Sequence, residues 1–465
     1  MKKHEILTNI TVQKLIFGGK GLALLADGKK VIITGGAIPG AVVSIRVLKI
    51  KKNYIEAQVV ATEKKSPLEK EIPENWQLYG GCKWLPIPYE EQLKIKSEQV
   101  EEAFRDLKKI QPKIPFSPII ASPDSEHYRN KLEFSWGKYI SKKENIHDEY
   151  RFGFHVAGVF DRIENCRYCV LADDTINAIF QEIDALARKS DFPTYDPKRQ
   201  DGFWRHLVVR KSEFHKQIML IFSVNTNYEN TQDALGYIKE ITKHLTKKFT
   251  EIVSVYIFHN PGKADIVTGE SEKIFGKDFI TERLLGMDFD IQPKSFFQVN
   301  SKCAKLLYRT VIEQFLHKNG VLLDLYAGTG TIGMLLSKSF EEVYSVELVE
   351  SASKDSSINA RKNNISNMHF VNAKVEDFAK EFLEAGNTAD SLVIDPPRSG
   401  MHPKAIPTLL KFDVREIVYV SCNPATLARD LGDFLKASYE IKNVVPVDMF
   451  PHTHHIETVV HLLKK

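Results

Sequence analysis

Short runs of alternating apolar and polar residues fill the first sixty positions. In 10–25 (ITVQKLIFGGKGLALL) and 29–60 (KKVIITGGAIPGAVVSIRVLKIKKNYIEAQVV), β-branched residues alternate with Lys and Arg between glycine-rich turns. Period-two alternation broken by GG, DG and PG predicts about five short strands, enough to close a small barrel of the OB type. Alternation sends Val42, Ile45 or their neighbours inward and leaves Arg46, Lys49, Lys51 and Lys52 outside. Residues 63–75 are polar, contain two prolines and read as a linker. The spacing then changes to that of a helix in 88–110 (PYEEQLKIKSEQVEEAFRDLKKI).

From about 115 to 285 alternating segments recur (KLEFSW, RFGFHV, HLVVRKSE, QIMLIFSV, VSVYIF), with one helical pattern at 173–189. Beyond 286 the rhythm is strand, loop, helix, repeated: VLLDLY, EVYSVEL, MHFVNA, SLVIDPP and EIVYVSC each precede a helical stretch, and NVVPVDMF and ETVVHLLK close the chain. Such repetition predicts a doubly wound parallel sheet, whose ligands sit beyond the carboxyl ends of the strands. The expected fold class is therefore multi-domain α/β and β. An OB-like barrel occupies 1–62, a linker with a mixed α+β domain 63–285, and a Rossmann-like domain 286–465.

Composition narrows the class without naming a function. With 43% hydrophobic and 27% charged residues the chain reads as soluble and globular. No apolar run approaches a membrane span, and the first residues hold no apolar stretch of secretory length, so a cytoplasmic location is expected. Net charge is +4, yet residues 1–65 carry twelve Lys or Arg against four acids, which makes the barrel a basic module on a near-neutral body. Five widely spaced cysteines argue against a disulfide framework, so each thiol is core, ligand or nucleophile.

The chemistry gathers after the strands. Asp324-Leu-Tyr326-Ala-Gly328-Thr-Gly330-Thr-Ile-Gly333 has glycines that admit close approach to a ligand, and Glu347 ends the next strand where a carboxylate can accept from a ribose diol. NAD and S-adenosylmethionine both carry that ribose, so an NAD-dependent oxidoreductase stays open here. Asp395-Pro-Pro-Arg398-Ser-Gly400 ends the fourth strand with two prolines stiffening a turn beside a carboxylate, which suits a methyl-transfer site better than a nicotinamide site. Cys422, in SCNP after the fifth strand, is placed to be a nucleophile: uracil C5 accepts a methyl group only after a thiolate has added at C6, and a following helix N-terminus favours that thiolate. Loss of the C5 proton then needs a base. Glu457 and the nearby His452, His454 and His455 are all candidates on chemistry alone. The histidine cluster lacks companions at metal-ligand spacing, so no metal is expected there.

Taken together these motifs resemble the RNA uracil-C5 methyltransferases of the RumA/TrmA family, over nearly the whole chain. FGGKGLA and IPG are similar to the TRAM domain of its rRNA-modifying branch; YRNKLEF and GFH match the central domain; FFQVN, DLYAGTGT, DPPRSG, SCNPATLARD and FPHTHHIE match the catalytic part. The resemblance implies that Cys422 is the nucleophile and Glu457 the base, with Gln298, Tyr326, Gly328, Glu347 and Asp395 around S-adenosylmethionine. It also implies an RNA partner, with 23S rRNA favoured over the T-loop uridine of tRNA, and no obligate protein partner. Lys374 stands where the family often has Asp or Asn. Many TRAM-bearing relatives hold a [4Fe–4S] cluster, but Pro73 and Tyr79 occupy its first two ligand positions here. Only Cys82, Cys166 and Cys169 remain, so no cluster is expected.

Overall fold

The computed structural model describes residues 1–72, 81–141, 146–156 and 162–465. Six strands form the N-terminal sheet: β1 (Ile6–Thr11), β2 (Lys14–Ile16), β3 (Lys20–Leu24), β4 (Lys30–Thr34), β5 (Val42–Ile50) and β6 (Tyr54–Lys64), in the order β1-β5-β6-β4-β3-β2. The sixth arises because ITVQKLI is two strands. Val12 bonds to the turn opposite, its N–H to Ala41 O at 2.9 Å and its carbonyl to Gly40 N–H at 2.7 Å, so the ladder stops there. Val31, Ile33, Val43, Ile45, Val47 and Ile55 are wholly buried, and Arg46, Lys49, Lys51 and Lys52 face solvent.

Helix α1 (Tyr89–Ala103) ends about two turns earlier than its periodicity suggests, passing into a short 3₁₀ turn at Leu107–Lys109. Its buried side is unusual in being largely polar: Gln92, Lys96 and Gln99 lie there beside Leu93 and Val100. Gln99 donates to Leu15 O of the barrel at 3.0 Å. Lys96 Nζ meets Asp448 Oδ1 at 2.6 Å with both side chains fully out of water.

The middle sheet has seven strands in the order β13-β12-β11-β10-β7-β8-β9. They are β7 (Lys131–Ser141), β8 (Ile146–His155), β9 (Ile163–Asn165), β10 (Trp204–Lys211), β11 (Ile218–Val224), β12 (Ile252–His259) and β13 (Glu270–Gly276), with α2 (Asp174–Lys189) between β9 and β10. One helix is expected from the sequence of this region, and among the described residues there are two. β11 and β12 pair in parallel, which requires a crossover, and α3 (Thr231–Lys248) supplies it by burying Ala234, Ile238, Ile241 and Leu245. Its Gly236 and several threonines weaken the helical signal.

A hairpin comes next, β14 (Ile280–Leu284) with β15 (Met287–Ile291), closed by Leu285 and Gly286 at φ 47 and 85. A two-residue turn that matches strand twist needs positive φ at both positions. The expected boundary at 285/286 falls in this turn. After α4 (Ser301–Gln314) come β16 (Val321–Leu325), β17 (Glu342–Glu347), β18 (Met368–Asn372), β19 (Ser391–Ile394), β20 (Glu416–Ser421), β21 (Tyr439–Val447) and β22 (Glu457–Lys464). Between them run α5 (Thr331–Leu336), α6 (Glu350–Lys362), α7 (Val375–Glu384), α8 (Ala405–Leu409) and α9 (Pro424–Lys436). The strand order is β18-β17-β16-β19-β20-β22-β21. Six strands run in one direction, and β22 inserts antiparallel between β20 and β21. Helices on both faces explain the continuous apolar runs: Leu322, Leu323 and Leu325 of β16 are all fully buried. Among the described residues no helix is long and apolar enough to cross a membrane.

The Lys96–Asp448 pair generates a stability prediction. Lys96→Met alone strands a buried carboxylate and is expected to cost about 3–5 kcal/mol, whereas Lys96→Met together with Asp448→Leu should regain most of it. Calorimetric melting of the three proteins checks this; a single variant as stable as the parent would refute it.

Candidate active site

Strand register lines up the candidate residues. Leu325 lies beside Val346 and Ile394, Ile394 beside Tyr419, and Ser421 opposite Thr458. Tyr326, Glu347, Asp395 and Cys422 therefore stand at the carboxyl ends of parallel strands. Glu457 stands at the start of the antiparallel one, so all five reach the same edge of the sheet.

The loop after β16 turns through positive φ at Tyr326 (60), Gly328 (56) and Gly330 (69). Glu347 ties it to β17, its Oε2 accepting from Gly328 N–H at 2.9 Å and its Oε1 from Val349 N–H at 2.7 Å. Asp324 Oδ2 accepts from Gly333 N–H at 3.0 Å. A Cβ at Gly333 would come within 2.5 Å of that oxygen, so glycine is what lets α5 close on the carboxylate. Gln298 is placed through its main chain: its carbonyl accepts from Asn130 Nδ2 at 3.1 Å. The same amide donates to Ser301 Oγ at 2.8 Å, and Ser301 Oγ donates to the buried Glu282 at 2.7 Å. YRNK in the middle domain thus positions FFQVN. Lys374 is exposed, just before α7.

Electrostatically the edge is a crowd of carboxyl groups. Burial raises Asp395 to about 7, and burial with the charges of Asp395 and Glu347 raises Asp324 to about 7. Glu457 is pushed well above the carboxylate range, first by burial and then by Asp395, with Arg398 opposing. Cys422 rises to about 11 through burial and the Glu457 carboxylate, again against Arg398. Against the expected pull of the following helix toward the thiolate, desolvation and the carboxylates of Glu457 and Asp395 push the thiol up. Arg398 Nη2 contacts His455 Nδ1 at 2.6 Å. Burial lowers His455 to about 3 and His454 to about 4, so both rings are neutral near pH 7 and leave the charge on Arg398 uncancelled.

Three neighbours carry no clear signal in the sequence. Tyr308 on α4 is raised first by burial and then by the Asp395, Glu457 and Asp324 carboxylates. Its only mark is a polar ring on the buried stripe of Cys303, Ala304, Leu307 and Val311. Asp324 and Lys96 likewise lie in runs dominated by other signals. Asp324 Oδ1 has no hydrogen-bond partner among the described residues. An unpaired buried carboxylate oxygen among further carboxyls fits a cationic ligand that also offers hydroxyl or ammonium donors, as S-adenosylmethionine does.

A [4Fe–4S] cluster is not fitted by the chain. Pro73 and Tyr79 lie outside the described residues, and Cys82, Cys166 and Cys169 offer three thiols, each raised by burial, where four thiolates are needed. Among the described residues no group of three or more His, Cys, Asp or Glu side chains is arranged to hold a metal ion.

Comparisons bear on this site. The family model described as tRNA (uracil-5-)-methyltransferase matches residues 211–465. A protein of Clostridium acetobutylicum described as an uncharacterized RNA methyltransferase is 37% identical, covering 100% of this chain and 99% of its own length. One of Bacteroides thetaiotaomicron with the same description is 36% identical over 95% and 98%. The crystal structure of Pyrococcus abyssi tRNA (uracil-54, C5)-methyltransferase with S-adenosyl-L-homocysteine superposes with a TM-score of 0.74 at 26% identity, covering 98% of this chain and 100% of that one. These matches bear out S-adenosylmethionine as cofactor and the methyltransferase reading over the oxidoreductase. They overturn the preference for 23S rRNA as partner and the placement in the rRNA-modifying branch. Since the similarity takes in the barrel, a small basic barrel does not select rRNA, because phosphates are common to every RNA.

Asp324 and Asp395 near 7 give the site a pH signature. Each must lose its proton to attract a cation, so S-adenosylmethionine binding at pH 7 should release protons and weaken roughly a hundredfold between about pH 8 and pH 6, about tenfold for each carboxyl. S-adenosylhomocysteine, lacking the sulfonium, should show a shallower slope. Titration calorimetry in buffers of different ionisation enthalpy measures both, and identical slopes would contradict this charge assignment.

Proposed function

We propose that this chain, which belongs to the tRNA (uracil-5-)-methyltransferase family and methylates uridine C5 in structured RNA with S-adenosylmethionine as donor, takes a tRNA uridine as its substrate. The reading rests on the likeness, over 98% of the chain, to a tRNA (uracil-54, C5)-methyltransferase. The reaction belongs in the cytoplasm, where tRNA is used. Arg46, Lys49, Lys51 and Lys52 on the outside of the barrel are suited to phosphates, while the target base leaves its stack to reach the strand ends.

Bound S-adenosylmethionine supplies an electrophilic methyl group and a positive charge. Glu347 and Gly328 are suited to the ribose side, with Tyr326, Asp395 and Gln298 around the rest. Cys422 adds through Sγ to C6, which makes C5 an enolate carbon able to take the methyl group. By itself the pocket keeps Cys422 a thiol, so the nucleophile waits for positive charge, of which Arg398 already supplies some. Glu457 then removes the C5 proton. Of the candidate bases it is the one preferred here, because His452 is bonded to Gln92 and His455 to Arg398 and burial drives both well below neutrality as bases. A buried carboxylate of raised pKa is, by contrast, a strong base once ionised.

Two measurements test this. Incubation with tritiated S-adenosylmethionine and unmodified tRNA or 23S rRNA transcripts should label 5-methyluridine in tRNA; label in rRNA alone would overturn the substrate. Cys422→Ala should bind RNA without forming an adduct, and Glu457→Gln should retain a denaturation-stable protein–RNA adduct with product formation reduced at least ~100-fold.

A further inference from the structure

Glu457 opens β22, so the placing of its carboxylate depends on what fixes residues 448–456. Much of that fixing comes from outside the parallel sheet. On α1, Lys96 Nζ donates to Asp448 Oδ1 at 2.6 Å and to Phe450 O at 3.1 Å. One turn earlier, Gln92 donates to His452 Nδ1 at 2.9 Å and accepts from His452 N–H at 2.8 Å. Trp84 N–H donates to His452 O and Tyr128 Oη–H to Pro451 O, each at 3.0 Å. His452 itself is held at φ 63, a left-handed conformation that a histidine keeps only when its surroundings enforce it. Immediately beyond, Gly19 of the barrel lies so close to His454 that a Cβ would come within 3.1 Å of its ring.

We infer that Gln92 and Lys96 are positioning residues for Glu457, so that α1 completes the half of the active site that removes the C5 proton. The inference rests on the reading that Glu457 is that base. In the step concerned, the Glu457 carboxylate takes the proton from methylated C5, the C–H electron pair becomes the C5=C6 double bond, and the C6–Sγ bond breaks to return the Cys422 thiolate. Addition of Cys422 and methyl transfer do not need Glu457 as base. A tail out of place therefore slows release while leaving the adduct able to form, a pattern that simple loss of folded protein does not produce.

The test uses the full chain with an unmodified tRNA transcript and tritiated S-adenosylmethionine. Gln92→Met keeps the side-chain volume and removes both bonds to His452; Lys96→Met with Asp448→Leu removes the ion pair without stranding a charge, and stands in should the first variant fold poorly. Each is expected to lower kcat by ~10–100-fold with KM for RNA nearly unchanged, and to accumulate denaturation-stable, methyl-labelled adduct. Glu457→Gln runs beside them. Adduct in Glu457→Gln, with both other variants turning over like the parent or losing RNA binding and melting temperature together, would overturn the positioning role alone. No adduct in Glu457→Gln would overturn the assignment of the base, and this inference with it.

Discussion

The site depends on the reversal of one strand. In a parallel sheet only residues that come after a strand reach the carboxyl edge, which is why Tyr326, Glu347, Asp395 and Cys422 all lie at or just past strand ends. β22 runs the other way between β20 and β21, so its first residue, Glu457, reaches that edge instead. A thiol and a carboxyl, the groups proposed to open and close the reaction, are thereby brought to one edge by main-chain pairing. Their side chains need only short reaches, and the ladder that sets their spacing is buried.

Crowding carboxyl groups at such an edge has an electrostatic cost that the protein leaves uncompensated. Asp395 raises both Asp324 and Glu457, and burial raises all three. Arg398 opposes the rise at Glu457, and it leans on a neutral imidazole rather than on a carboxylate. A cationic donor entering this pocket relieves the repulsion, while a neutral product does not, so the same field that favours binding of the donor favours departure of what remains after methyl transfer.

How much of this the sequence discloses depends on the range of the interaction. Strand-end residues are visible because period, glycine and proline mark where each strand stops, and these are local signals. The division of ITVQKLI into two strands depends on the bonds of Val12 to Gly40 and Ala41, and α3 on the parallel pairing of β11 with β12, neither of which the local pattern records. Lys96 escapes the pattern for the same reason. On a helix of alternating charges it looks like one more solvated lysine, and only its partner, Asp448, 352 residues away, makes it a core residue. The RNA target is misread on other grounds: a basic barrel records affinity for phosphate, which does not distinguish one folded RNA from another.

That separation of 352 residues also orders the protein's assembly in time. During synthesis α1 emerges with a buried face built for Gln92 and Lys96, yet their partners leave the ribosome only after the barrel, the middle sheet and nearly all of the last domain. Until then Lys96 has no anion to meet and stays hydrated. Closing so long a loop costs little more entropy than closing one half its length, so delay, not thermodynamics, is what the arrangement imposes. The nascent chain can hold a folded barrel well before its last strand arrives, and the late docking of residues 448–456 onto α1 marks the end of its assembly.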